Sequence, residues 1–275
     1  VPNYVAADGM SLHYDVSGQG GPIVTLAGGA ARHPSYLGDL AGLSGLVVPH
    51  LRGVGKSPSG AGGSSWAQAS DVDSLRTHLA KDRLVIVAHS AGTRLAIAYA
   101  AQFPSRVERL VLITPPSAYL VSEPSDAPKL IDARRGEPAF DAAIAAFEAG
   151  PDLSGDDAFN AWNRATAPVG YAKWTATEQR HAQVGRWNLA AVQAYFSVQP
   201  PADLASRLRE VTAPTLVVAG ERDCLTGLAP VVALADLFPH GEVAVIEDCG
   251  HYPWIEQPAA FRQAVDEFLA RPPQT

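Results

Sequence analysis

The feature that most constrains this chain is the nine-residue stretch Leu84-Val85-Ile86-Val87-Ala88-His89-Ser90-Ala91-Gly92. Its continuous apolar start reads as a strand buried on both faces. The segment that follows, Ala91 to Phe103, places Leu95, Ala98 and Ala101 along one helical face, and Phe103-Pro104-Ser105 stops it. A strand that turns straight into a helix forces Ser90 into a strained backbone conformation. The residues two before and two after it then pass close together and must be small. Ala88 and Gly92 meet that demand. The helix start behind Ser90 also aims backbone N–H groups and the positive dipole end at any anion that forms there. A serine that only caps a helix is the plainer reading of the same residues.

Other parts of the chain repeat this strand-then-helix rhythm. Tyr4 to Val16 alternates around Asp8-Gly9, a hairpin signal. Ile23 to Leu26, Leu46 to Val48 and Leu110 to Ile113 are short apolar runs, as expected of a parallel sheet. Trp66 to Lys81 carries Val72, Leu75 and Leu79 at near-helical spacing. The rhythm breaks at Thr114-Pro115-Pro116, and from Ser117 to about Arg207 the pattern is helical with no buried strand. It then resumes, with Thr215 to Ala219 and Val243 to Ile246 as strands and Pro230 to Leu237 and Pro258 to Ala270 as helices. The chain therefore reads as α/β, with a core domain at 1–116 and 208–275 and a helical cap, or lid, inserted at 117–207. An insertion that large between strands usually covers a site.

Composition narrows the partners. The 275 residues are 47% hydrophobic and 18% charged, ordinary for a globular chain, and the formal net charge is -7. No basic stripe suits nucleic acid or an anionic membrane surface, and no run of roughly 18 apolar residues suits a membrane span. Val1 to Gly9 lacks the features of a signal peptide, which makes a cytoplasmic protein the expectation. The mild acidic excess identifies no substrate, and the sequence is silent on oligomeric state; the expectation of a small-molecule substrate with no metal and no organic cofactor comes from the chemistry of the motifs.

A serine hydroxyl becomes a nucleophile when a positioned base takes its proton. Of eight histidines, His251 stands out, on the loop after a late strand and so at the carboxyl edge of the sheet. His89 is the rival by proximity, but neighbours on a strand point to opposite faces. Asp223, after the strand Thr215 to Ala219, is the candidate for the carboxylate that orients the imidazole, with Glu221 as rival and Asp248 behind both. Donors for an oxyanion are expected from the backbone N–H of Ala91 and from the loop Ala27-Gly28-Gly29-Ala30-Ala31, Gly29 first and Ala30 second.

Taken together, Ala27-Gly28-Gly29, Leu51-Arg52-Gly53-Val54-Gly55-Lys56-Ser57, Ala88-His89-Ser90-Ala91-Gly92, Gly220-Glu221-Arg222-Asp223 and Cys249-Gly250-His251-Tyr252-Pro253 resemble the motif blocks of the α/β-hydrolase superfamily, in that family's order. The resemblance implies an eight-stranded, mostly parallel sheet flanked by helices, with the cap inserted after the sixth strand. It also implies a serine hydrolase that uses Ser90, His251 and Asp223 as a catalytic triad on a small or medium apolar ester, lactone or amide. The Gly-Gly loop and cap position are similar to the proline iminopeptidase-like group, although Ala27, Ala30 and Ala91 replace that group's histidine, proline and tryptophan. In such an aminopeptidase, cap carboxylates such as Glu148, Asp156, Asp157 or Glu178 would hold the substrate amine. Carbon–carbon bond hydrolysis, perhydrolysis and a ligand-binding receptor with an idle triad are the remaining alternatives. The cap aromatics Trp162, Tyr171, Trp174, Trp187, Tyr195 and Phe196 could line an apolar pocket, with Trp162, Trp174, Trp187 and Tyr195 the candidates for its wall; Arg52 is expected to pair with a loop carboxylate. Cys224 and Cys249 are expected to touch and to stay reduced if their loops meet.

Overall fold

The computed structural model describes residues 2–272. One eight-stranded sheet organises them: β1 (Asn3–Val5), β2 (Ser11–Ser17), β3 (Ile23–Leu26), β4 (Leu46–Pro49), β5 (Leu84–His89), β6 (Val107–Ile113), β7 (Thr215–Gly220) and β8 (Gly241–Ile246). The strand order is β1-β2-β4-β3-β5-β6-β7-β8. The β1–β2 and β2–β4 pairings are antiparallel and the remaining pairings parallel. The Asp8-Gly9 hairpin joins β1 to β2, with Val5 opposite Ser11.

The apolar runs are continuous because both faces of the central strands are covered. Leu84, Ile86 and Ala88 of β5 and Leu110 and Leu112 of β6 pack on one side. There they meet α1 (Ala69–His78) and α2 (Gly92–Gln102). Val87, Val111, Ile113, Leu216 and Val218 face the other side, against Trp254 and the helix that carries Phe261, Val265 and Phe268. The edge strand β8 departs from this pattern: its Val243 and Val245 are 37% and 45% exposed.

Between β6 and β7 the chain is helical: α3 (Ala127–Asp132), α4 (Pro138–Ala149), α5 (Asp156–Thr166), α6 (Ala176–Ala182), α7 (Leu189–Tyr195) and α8 (Leu204–Leu208). The boundary expected at residue 207 falls inside α8. Leu204 and Leu208 bury into the main core, so α8 packs with the α/β layers. After β7 come α9 (Ala229–Leu234), α10 (Pro253–Glu256) and α11 (Pro258–Leu269). The inserted helices meet the sheet at the loops that follow its strands: His33 N–H donates to Arg186 O (2.8 Å), and His251 N–H to Gly170 O (2.8 Å).

Arg52 pairs as expected with carboxylates, but one of them lies on a helix. It grips Asp71 of α1 with Nε (2.6 Å) and Nη2 (2.7 Å), and its Nη1 reaches Asp8 in the hairpin turn (2.7 Å). Arg52 and Asp71 are both buried. Replacing Arg52 with Met leaves the Asp71 carboxylate buried without its partner. The expected cost in urea denaturation is about 3–5 kcal/mol. A loss below about 1 kcal/mol would place the pair with ordinary surface ion pairs instead.

Candidate active site

Ser90 sits where β5 meets α2, with φ +51°. Its N–H donates to Ile113 O of the neighbouring strand (2.9 Å), which fixes the strained turn. The crowding at Gly92 has a different source from the one expected. A Cβ there would lie 2.5 Å from the carbonyl oxygens of Leu26 and Ala27, at the end of β3, and these are its nearest neighbours. Gly28 is squeezed likewise, 2.5 Å from His89 O and 2.8 Å from Ser90 Cβ. Both glycines let the loop after β3 lie directly against the serine turn.

The structure brings Ser90, His251 and Asp223 into one hydrogen-bonded line. Ser90 Oγ lies 2.7 Å from His251 Nε2, and His251 Nδ1 lies 2.7 Å from Asp223 Oδ2. Asp223 is 1% exposed, and it also accepts from Leu225 N–H (2.9 Å), Thr226 N–H (3.3 Å) and Thr226 Oγ1–H (2.6 Å). An ionised carboxylate only accepts, so His251 donates from Nδ1 and leaves its Nε2 lone pair for the serine proton. The rival acids are turned elsewhere: Glu221 accepts from Asp248 N–H, and Asp248 pairs with Arg222 (2.6 Å).

His89 does not reach the serine hydroxyl. Its Nε2 lies 3.0 Å from the carbonyl oxygen of His251, an obligate acceptor, so that nitrogen carries the proton. Nδ1 therefore accepts from Tyr36 O–H (2.8 Å), and Tyr36 Oη accepts in turn from Gly28 N–H (2.6 Å). Burial holds the His89 pKa well below its ordinary value, so the ring stays neutral. The chain Gly28–Tyr36–His89–His251 thus ties the glycine loop to the histidine loop through one fixed set of donors. Sequence reading missed Tyr36, because nothing in its own neighbourhood marks it.

Gly29, Ala30, Ala91, Ser90 and His251 all line one cavity of about 260 Å³, walled further by Phe159, Val192, Phe196 and Leu225. A second chamber of about 190 Å³, lined by Phe147, Trp162 and Tyr171, adjoins it. Arg32, Asn163, Trp187, Leu225 and Tyr252 belong to both chambers. Of the aromatics of the inserted segment singled out from the sequence, Trp187 borders both, Trp162 and Tyr171 the second and Phe196 the first. Trp174 instead packs on Tyr171, and buried Tyr195 donates its hydroxyl to Ala91 O (2.7 Å), bracing the serine turn from behind. A larger hollow of about 450 Å³, lined by Arg83, Ser105, Pro214 and His240, lies at the residues that precede β5, β6, β7 and β8. That is the sheet edge opposite Ser90, whereas sites in open α/β sheets form at the carboxyl edge.

The carboxylates of the inserted segment that could hold a substrate amine have other partners. Glu148 pairs with Arg135, Asp157 with Arg186, Asp156 accepts from Leu189 N–H, and Glu178 closes the N-terminal cap of α6. None of the four lines either chamber. Cys224 and Cys249 are free buried thiols in separate apolar clusters, not packed on each other. Among the described residues, His13, Asp15 and His50 come close enough to share a cation. Yet Lys56 N–H donates to His50 Nδ1 (3.1 Å), which leaves the proton on His50 Nε2, pointed at Asp15 (2.8 Å). The cluster closes as a hydrogen-bonded group.

Two groups behind the site yield predictions. Tyr36→Phe breaks the link from Gly28 to His89 and strands a buried N–H. The expected loss is about 1–3 kcal/mol of stability by denaturant unfolding, with a fall in turnover. Unchanged stability and turnover would remove the link from the account. Glu256 accepts from the N–H groups of Ala172 (2.7 Å), Gly250 (3.1 Å) and Tyr252 (3.3 Å). Burial outweighs these donors and raises its pKa from the ordinary 4.5 to about 7. The folded state then keeps a proton that the unfolded chain releases, so this carboxyl's contribution to stability falls as pH rises from 4.5 to about 7. Between those pH values Tm should drop more for the wild type than for Glu256→Gln. Parallel Tm profiles would contradict the assignment.

The comparisons with known proteins agree with this architecture. The sequence matches the α/β hydrolase fold family over residues 45–258. RutD of Variovorax paradoxus (strain S110), named as a candidate carbamate hydrolase, is 30% identical over 271 residues, covering 95% of this chain and 97% of that protein. The 2-hydroxy-6-oxononadienedioate/2-hydroxy-6-oxononatrienedioate hydrolase 2 of Pseudomonas putida is 26% identical, covering 94% and 92%. A solved structure of an N-acyl homoserine lactone degrading enzyme superposes with a TM-score of 0.65 at 26% identity, covering 97% of this chain and all of that one. No helix among the described residues is long and apolar enough to cross a membrane. Family match, sheet order and the run of hydrolase relatives converge on one assignment: the chain belongs to the α/β-hydrolase family and is an enzyme of the hydrolase class.

Proposed function

We propose that this protein is a serine hydrolase of small acyl compounds, an ester, lactone or amide, with Ser90 as nucleophile, His251 as general base and Asp223 as the carboxylate that orients it. The observation that carries the reading is the line of two 2.7 Å contacts from Ser90 Oγ through the His251 ring to Asp223. Ser90 attacks the substrate carbonyl while its proton passes to His251 Nε2. The backbone N–H groups of Ala91 and Gly29 hold the oxyanion of the tetrahedral intermediate. Collapse expels the leaving group, which takes the proton from His251. Water then adds to the acyl-enzyme by the same route and frees Ser90.

The roughly 260 Å³ chamber supports a small substrate, and its Phe159, Val192, Phe196 and Leu225 walls support an apolar acyl portion. Phe159, Val192 and Phe196 lie in the segment 117–207, which supports its reading as a lid. The aminopeptidase reading loses its main support, since the cap carboxylates that would hold a free amine are engaged elsewhere. The relatives are named for a carbamate, for 2-hydroxy-6-oxononadienedioate and for N-acyl homoserine lactones, compounds that each contain a carbonyl group, which suits this reading.

Steady-state hydrolysis of p-nitrophenyl esters of graded acyl length, beside proline and alanine anilides, tests the proposal. The expected result is ester turnover that falls by about 10³-fold or more in Ser90→Ala, while the variant unfolds like the wild type. Equal turnover in both proteins would overturn the nucleophile assignment.

A further inference from the structure

Arg32 follows the glycine loop and is 3% exposed, yet it borders both chambers of the site. Its guanidinium lies over the rings of Tyr36 (4.2 Å to the centroid) and Trp187 (4.4 Å). Nε donates to Val184 O (3.1 Å) and Gly185 O (3.4 Å), Nη2 to Val184 O (2.5 Å) and Nη1 to Tyr252 Oη (3.3 Å). Every one of these partners is neutral. Among the described residues no carboxylate oxygen comes within 4.0 Å of it, whereas buried Arg52 has two carboxylate partners. A guanidinium carries five N–H groups, so these contacts leave a hydrogen on each terminal nitrogen unassigned. A buried cation without a counter-ion is costly, and aromatic faces and carbonyl oxygens offset that cost only in part. An anion entering the cavity would complete the pair.

We propose that Arg32 binds a carboxylate carried by the substrate, so that the favoured substrates are small acyl compounds with a free carboxylate a short chain away from the scissile carbonyl. The reading rests on Ser90 as the site of acyl transfer, and it adds the substrate's charge. Arg32 borders both chambers and shares the first with Ser90, so one substrate in that chamber can meet Arg32 with a carboxylate and Ser90 with a carbonyl. A single planar fork suits a carboxylate monoanion, two parallel N–H···O bonds meeting its two oxygens. The chain's net charge of -7 gives no long-range attraction for such a substrate, so the selectivity must arise locally.

The test compares the p-nitrophenyl monoester of glutaric acid with p-nitrophenyl pentanoate, an uncharged ester of the same acyl length. The wild type should prefer the anionic ester in kcat/KM. Arg32→Gln should cost about 10- to 100-fold more in kcat/KM on the anionic ester than on the neutral one, and the extra loss should appear chiefly in KM. Arg32→Lys should restore part of the loss, since it returns the charge without the fork. An equal fall on both esters, or no wild-type preference, would reduce Arg32 to a structural pin between the loop and the cap. Should Arg32→Gln fail to fold, inhibition of the wild type decides. Glutarate should compete with the neutral ester and glutaramide should not; equal or absent inhibition would overturn the proposal. Turnover of the neutral ester in the wild type and its loss in Ser90→Ala report on the triad independently.

Discussion

The structure depends on one tight backbone turn. β5 ends and α2 begins around Ser90, held at φ +51° by its N–H bond to Ile113 O. The turn lifts the serine side chain clear of the sheet and leaves the backbone of Ala91 and Gly92 at the start of a helix. It also sets how closely the end of β3 approaches. Carbonyl oxygens of Leu26 and Ala27 press on Gly92, and His89 O presses on Gly28. With a side chain at either glycine the loop after β3 could not lie against the serine turn. Strain in the turn persists because strands on both sides of β5 over-determine it.

From that turn, hydrogen bonds set the remaining parts of the site. His251 is held from several directions: its N–H by Gly170 O, its carbonyl by His89 Nε2 and Thr114 Oγ1 (3.0 Å each), and its ring by Asp223. Gly170 and Ala172 belong to the inserted segment, so the histidine loop and the insertion position each other. The glycine loop is fastened to the same histidine through Tyr36 and His89. Because His89 is neutral and its two nitrogens have opposite roles, the donor directions along that link cannot reverse without leaving a group unpaired. Moving one loop therefore moves the others.

What the sequence revealed follows from locality. The strand runs, the serine turn and the loops that carry Asp223 and His251 are written in neighbouring residues, and the order of those loops along a parallel sheet brings their ends together. Tyr36, Arg32 and Glu256 each have a partner far along the chain, 53, 152 and 84 residues away, and no short pattern marks such pairings. The aromatic residues of the insertion show the same limit. Composition identified Trp162, Trp174, Trp187 and Tyr195 alike, but only packing separates Trp162 and Trp187, which face the chambers, from Trp174 on Tyr171 and Tyr195 behind Ala91. The end of the insertion is hard to read for a related reason. α8 is helical like its neighbours before it, and only its burial against the main core assigns it to the α/β layers.

The central claim is that Ser90 is an activated nucleophile, not a helix cap that happens to face a cavity. Labelling with an alkyl fluorophosphonate, read by intact mass and peptide mapping, tests it most directly. Such a reagent reacts far faster with a serine whose proton a neighbouring base removes than with an unactivated hydroxyl. The account predicts a single adduct on the peptide that carries Ser90, with loss of turnover in proportion to labelling and no adduct in His251→Ala on the same timescale. Turnover that survives full labelling of Ser90, or an adduct on another residue that abolishes turnover while Ser90 stays unmodified, would contradict it.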